Sequence, residues 1–189
     1  MSNFSTARTN MVDSQIHTAG VVTAPILEAF RTVPREDYVP DAMRGLVYAD
    51  EDLPLGNGHY LMEPAILARM LEAVEVNAGD RALSIGDSTG YSAAILTMVA
   101  KSVTTADRVA ANDQFSLIVV SGAVAEMPPE WLSLLSLRGR IVAVLKPKGQ
   151  MGVATEIERI GENAFSTRKL FDAGTPYLPG FEPRNSFTF

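Results

Sequence analysis

The sequence contains no cysteine, a single tryptophan and only two histidines in 189 residues. The missing thiols exclude disulfides, thiolate metal sites and cysteine nucleophiles together, and they suit a reducing compartment. Basic residues are also sparse: 16 Lys and Arg stand against 22 Asp and Glu, for a net charge of -6. That balance favours solubility and lacks the basic stripe that a nucleic-acid partner wants. No apolar run approaches membrane-spanning length, and Met1 to Asn10 is polar, without the apolar core of a signal peptide. The expectation is a cytoplasmic chain that engages neither nucleic acid nor membrane. His17 and His59 have no second histidine or carboxylate at ligand spacing, so no metal site is expected. No serine sits on a G-x-S-x-G elbow, which excludes that route to a nucleophile triad.

What remains is an ordinary globular balance, 47% hydrophobic and 20% charged, in a length that fits one domain with a sizeable core. Residues 1–78 read as an N-terminal helical segment and residues 79–189 as an α/β core. Helices are expected over 7–18 and 24–33. In the second, Thr23 caps the start, Pro25 suits the first turn, and Ile26, Leu27, Phe30 and Val33 form one apolar face. Pro34 to Pro40 reads as extended. Residues 41–60 read as a short helix and then a loop rich in acid and glycine, and 63–74 as a helix. From Gly79 onward the pattern alternates: strand 81–85, helix 90–100, a candidate strand at 102–106, strand 115–120, helix 129–136 and strand 140–145. A hairpin of 151–160 and 165–171 follows, turning at Gly161-Glu162-Asn163. Helices between apolar strands indicate a mostly parallel sheet that ends in an antiparallel pair. Trp131 is expected as a lid on the core, and Arg138, Arg140, Lys146 and Lys148 as a solvated strand edge.

The most informative stretch is Leu83-Ser84-Ile85-Gly86-Asp87-Ser88-Thr89-Gly90-Tyr91-Ser92-Ala93-Ala94. An apolar strand end enters a glycine turn, and the turn opens onto a small-residue helix. A Rossmann-like sheet presents backbone N–H groups to a nucleotide or nucleoside in this way. The turn departs from a G-x-G-x-G pattern, because Ser88 stands between Gly86 and Gly90.

Three blocks in order carry a family resemblance. They are Met11-Val12-Asp13-Ser14-Gln15-Ile16 leading to Val33-Pro34-Arg35-Glu36 and Tyr38-Val39-Pro40; Tyr48-Ala49-Asp50 with Leu53-Pro54-Leu55-Gly56 and Glu63-Pro64; and the Gly86–Gly90 turn with Tyr91-Ser92-Ala93-Ala94. Together they resemble the protein-L-isoaspartate O-methyltransferases, class I S-adenosylmethionine-dependent enzymes that start repair of isomerised aspartates. The resemblance resumes at 115–145 and at Leu170-Phe171-Asp172-Ala173 through Leu178-Pro179-Gly180-Phe181. It implies a Rossmann-like three-layer sandwich with S-adenosylmethionine across the carboxyl ends of its first strands. On that basis the cofactor-binding candidates are Gly86, Asp87, Ser88, Gly90, Tyr91, Asp107 in the ribose-binding position, and Ser121. Tyr60, Met62 and Glu63 are the substrate-side candidates, for a protein or peptide substrate. Glu63 at a helix start is also what the helix dipole alone favours.

Three departures bear on function. Ser88 replaces the middle loop glycine, a cost of roughly 1–3 kcal/mol if that residue must take a glycine-only conformation, and Ser84 stands where the family carries an acid. Met62 occupies the place of a hydroxyl residue, and a thioether supplies no O–H. Only seven residues separate Asp107 from Phe115, whereas a crossover with its helix needs at least about 10–12. Either 102–107 stays as an edge strand with a bare connection, or that strand is lost; both leave the adenine side open. Such a deletion is expected to expose apolar surface around Leu96, Val99, Val103 and Leu117, for which a homodimer or partner is the natural remedy. Three readings stand: a degenerate family member acting as an interaction or structural protein, an active carboxyl methyltransferase in protein repair, and a module binding another small nucleotide at the Gly86–Gly90 turn.

Overall fold

The computed structural model describes residues 4–184. The N-terminal part comprises α1 (Phe4–Met11), continued by a wider turn over Val12–Ile16, then α2 (Ala24–Thr32), the hairpin of β1 (Leu53–Gly56) and β2 (His59–Leu61), and α3 (Pro64–Ala73). Pro25 and Pro64 open their helices, where a missing N–H costs nothing. Thr23 does not cap α2 with its side chain; its hydroxyl donates to Glu72 instead, tying α2 to α3. Two other expectations change here. Arg35–Tyr38 forms a tight helical turn rather than an extended segment. The acid- and glycine-rich loop contains the β1–β2 hairpin, whose turn places Asn57 (φ 51) and Gly58 (φ 76) in the left-handed region.

The remaining elements are β3 (Arg81–Ile85), α4 (Tyr91–Val99), β4 (Ser102–Thr105), β5 (Phe115–Val124), α5 (Pro129–Ser133), β6 (Leu135–Leu145), β7 (Val153–Arg159) and β8 (Phe165–Asp172). The six strands from β3 onward form one sheet in the order β4-β3-β5-β6-β7-β8. The first four run parallel, and β7 is antiparallel to both of its neighbours. This is the mostly parallel sheet with an antiparallel end that the alternating pattern predicted, in the Rossmann-like class I arrangement that the resemblance implied. In β5 every residue except Ser116 is buried, as a central strand covered on both faces requires. Leu117 and Val119 face one core cluster, Ile118 and Val120 the other.

The larger cluster joins the sheet to α1, α2, α3 and α4. It also corrects the expectation of an exposed apolar patch. Leu96, Val99 and Leu117 are buried and Val103 is half-buried, because the N-terminal helices lie over them and α2 packs on α4. That face therefore needs no partner to cover it. The second face is thinner. Its one helix, α5, is shorter than expected, since β6 begins at Leu135. Trp131 of α5 does act as a lid there, with Phe181 at a ring separation of 4.9 Å.

Of the two solutions for the short link, the structure adopts the bare connection. β4 survives as the sheet edge, and Ala106–Arg108 makes a single turn beyond it. The chain then crosses the thin face, where Val109 packs, and Asp113 meets Arg81 at 3.6 Å at the foot of β3. Among the described residues no helix of the fold is long and apolar enough to cross a membrane.

Candidate functional site

The glycine turn joins β3 to α4 at the carboxyl end of the sheet, where ligands of open α/β sheets collect. Gly86 (φ 77) and Gly90 (φ 83) are both left-handed, which explains glycine at each. Ser88 has no positive φ, so the strain considered for a serine at this place does not arise. Asp87 closes the turn. Its Oδ1 accepts from the backbone N–H groups of Thr89 (3.2 Å) and Gly90 (3.0 Å) and from the Thr89 hydroxyl (2.9 Å), and its Oδ2 accepts from the Ala93 N–H (3.0 Å). Thr89 Oγ1 in turn accepts from the Tyr91 N–H. These donors at the start of α4 are the ones an anionic ligand would use. Here the chain's own Asp87 carboxylate and Thr89 hydroxyl take those of Thr89, Gly90, Tyr91 and Ala93.

Of the other cofactor-binding candidates, Tyr91 and Asp107 line neither concavity near the turn, and Ser121 shares a crevice with Gly86. Tyr91 is fully buried, with its ring edge-on to Phe30 and Tyr38 and the Arg35 guanidinium 4.9 Å from its centroid. Burial pushes its phenol up to about 12, so it is a packing residue. Ser121 lies within β5 rather than at its end, and its hydroxyl donates to Ser92 Oγ (2.8 Å), bracing strand to helix. The Asp107 side chain is 75% exposed, 3.8 Å from Arg108. The Thr105 hydroxyl holds its carboxyl below the ordinary value. Asp107 lines neither concavity near the glycine turn.

Two concavities near the turn share His59 as a wall. One is a narrow crevice of about 10 Å³ lined by Asp52, His59, Tyr60, Met62, Gly86 and Ser121, together with the segment Thr175–Pro179. That is space for about one water. The other is an open groove of about 450 Å³ bounded by Tyr38, Leu55, Asn57, His59, Ser88 and Thr89. Tyr60 and Met62 thus do reach the crevice. Glu63 stands just outside it as the residue before α3, and its N–H donates to Asp52 Oδ1 (2.9 Å). Burial, then Asp50 and Asp52, push the Glu63 carboxyl up to about 7.

Sequence reasoning missed a residue that lines the crevice, Leu178. Leu178 lies on the glycine turn so closely that a Cβ at Gly86 would stand 2.6 Å from its side chain, and one at Gly122 only 2.4 Å. Leu178-Pro179 carried part of the family resemblance, but no periodicity indicated that this segment returns to the sheet. Arg140 was also misplaced. It is no solvated edge residue but forks onto Asp80, with contacts of 3.0 and 2.9 Å.

A sequence profile of the protein-L-isoaspartate(D-aspartate) O-methyltransferases matches residues 6–111. The protein-L-isoaspartate O-methyltransferase 1 of Rhodopseudomonas palustris (strain HaA2) is 44% identical over 110 residues. That match takes in 58% of this chain but only 45% of the relative. The protein-L-isoaspartate O-methyltransferase of Methylorubrum extorquens (strain PA1) is 33% identical over 191 residues, covering 86% of this chain and 83% of that one. Among solved structures, a protein-L-isoaspartate O-methyltransferase superposes with a TM-score of 0.75 at 21% identity, over 93% of this chain and 67% of its own. A Plasmodium falciparum chain described as a protein of the same kind, crystallised with S-adenosyl-L-homocysteine, gives 0.73 at 16% identity, over 90% and 97%. These two likenesses establish a shared fold, and the family's cofactor is S-adenosylmethionine. On the profile and on the relative that spans most of its length, the chain belongs to the protein-L-isoaspartate(D-aspartate) O-methyltransferase family.

Proposed function

We propose that this chain is a degenerate member of its family, which keeps the fold, has weak or no affinity for S-adenosylmethionine, and works as an interaction or structural protein. The observation that carries this reading is the open nucleoside side. β4 is the sheet edge, a bare link follows it, and the ribose-binding candidate Asp107 is solvent-exposed and lines neither concavity near the glycine turn. The link from Asp107 to Phe115 forms no helix to cover a purine ring there, and such a ring would forgo apolar burial that helps to hold it. Two further features support the reading. Asp87 occupies the Thr89, Gly90 and Ala93 N–H groups, and Ser84, in the place of the family's acid, is buried with its hydroxyl unpaired. The residues present therefore do not fit the cofactor.

The active carboxyl methyltransferase is the second reading, favoured by the left-handed conformation that both loop glycines retain. A transfer assay separates the two. With labelled S-adenosylmethionine and an isoaspartyl peptide, the protein should release no more label than buffer does. Turnover that scales with protein concentration would establish the active enzyme instead.

A further inference from the structure

We infer that the outer edge of β4 pairs antiparallel with β4 of a second copy of this chain, joining the two sheets about a twofold axis at Thr104. The inference names a partner for an interaction role, but it rests on the bare link and not on the fate of the cofactor site.

The seven residues between Asp107 and Phe115 add no strand, so β4 ends the sheet. The Ser102 N–H donates to the Asp80 carbonyl (3.3 Å) and so turns toward β3. Backbone groups alternate in direction along a strand, which turns those of Val103 and Thr105 outward. Among the described residues no other strand pairs with this edge. The link that follows packs Val109 on the thin face and adds no backbone hydrogen bond to the outward groups.

The two edges of the sheet differ. β8 carries Arg168 and Lys169, and its register with β7 shifts between Ala154 and Thr155; charges and irregularities of this kind keep edge strands apart. β4 reads Ser-Val-Thr-Thr, with no charge, no proline and an unbroken register to β3. Three of its four residues are β-branched, the type that favours strand pairing. Its flanks carry opposite charges, Lys101 before it and Asp107 after it, both exposed.

Those charges select the register. Only residues with outward groups can exchange hydrogen bonds across the new pair, so the axis falls on Val103, Thr104 or Thr105. An axis on Thr104 sets Val103 opposite the partner's Thr105, each exchanging both backbone bonds. It sets Thr104 opposite its own copy, where paired threonines stabilise. Of the three, it alone sets Lys101 opposite the partner's Asp107, and symmetry makes that pair twice. Arg108 holds the Asp107 carboxylate only loosely, at 3.8 Å and in solvent. Strands this short make a weak pair, governed by protein concentration.

The test is sedimentation velocity on the full chain, without ligand, over about a hundredfold range of concentration. The parent should pass from monomer toward dimer within it. Thr105→Pro deletes an outward N–H at φ -98, where an edge strand admits proline, and should stay monomeric. Lys101→Glu sets acid opposite acid and should weaken the dimer about tenfold. Adding Asp107→Lys to Lys101→Glu restores opposite charges and should recover most of that loss. Both charged positions are exposed, so these variants decide the matter if Thr105→Pro does not fold. A parent that is monomeric throughout would overturn the inference, as would a dimer indifferent to Thr105→Pro and Lys101→Glu. A double variant no better than Lys101→Glu would overturn the axis on Thr104 and the pairing with it. None of these results bears on S-adenosylmethionine, so the degenerate reading stands or falls separately, by the transfer assay.

Discussion

Replacing Asp80 by alanine should lower stability by about 3–5 kcal/mol, the range for removing one member of a buried ion pair. The residue stands just before β3, and its side chain is 5% exposed. Its carboxylate accepts from both terminal nitrogens of Arg140, from the Ser116 hydroxyl (2.7 Å) and from the Asn77 N–H (3.0 Å). Arg140 also donates to the carbonyls of Val74, Glu75 and Ser116. One carboxylate thus ties the turn after α3 to β5 and β6 at the foot of the sheet. Asp80→Ala leaves a guanidinium, itself only 16% exposed, without a counter-charge. Urea unfolding checks this through the midpoint, with Asp80→Asn losing less because an acceptor remains. The effect should also depend on pH. Burial pushes the Asp80 carboxyl upward, but the hydrogen bonds from Arg140, Ser116 and Asn77 outweigh it and hold the group below its ordinary value of 3.8. The folded state therefore prefers the ionised form. Its contribution is complete above the unfolded value and disappears as pH falls through the depressed folded value. The gap between parent and Asp80→Ala should narrow in acid; a gap independent of pH would show that the charge is not what stabilises.

Arg35→Ala is expected to cost about 3 kcal/mol or more, from two carbonyls left unpaired and a cavity under an aromatic ring. Arg35 is fully buried. Its Nε donates to the Val47 carbonyl and its Nη2 to the Met62 carbonyl, each at 2.8 Å, and the guanidinium lies against Tyr91. Burial pulls its pKa down, yet the planar fork still spans two carbonyls fifteen positions apart in sequence. Those carbonyls flank the β1–β2 hairpin, so the loss should loosen the wall of the crevice as well as the core. Arg35→Lys should recover little, since an ammonium on a flexible stem does not reproduce the fork. Thermal melts of both variants check the ordering; a Lys variant as stable as the parent would contradict this account of Arg35.

The sheet was legible wherever a strand is buried on both faces and bounded by turn residues, as at Leu83–Ile85 and Phe115–Val120. It was less legible where local and tertiary preferences compete. Trp131 to Leu135 reads as a continuing helix, but tertiary pairing draws Leu135 into β6 opposite Phe115. The β1–β2 hairpin had its signal in Gly56-Asn57-Gly58, which is hairpin-turn chemistry, masked by Pro54 and by strands of four and three residues. Of the candidate site, the turn glycines and the crevice residues Tyr60 and Met62 were legible through the family motif. Asp87 as a turn acceptor was accessible too, since an aspartate side chain in a turn commonly bonds the backbone N–H two residues on, here that of Thr89. Leu178, Arg35 and Arg140 were not. Their partners lie far off in sequence and are mostly backbone atoms, which leave no pattern in the side chains.

The central claim is that too little protein surrounds the nucleoside side of the glycine turn for the family cofactor to be held. Calorimetric titration of S-adenosyl-L-homocysteine into the unaltered full chain tests it most directly. The account predicts heats indistinguishable from dilution. A saturable isotherm with a micromolar dissociation constant, weakened by Asp107→Ala, would contradict it.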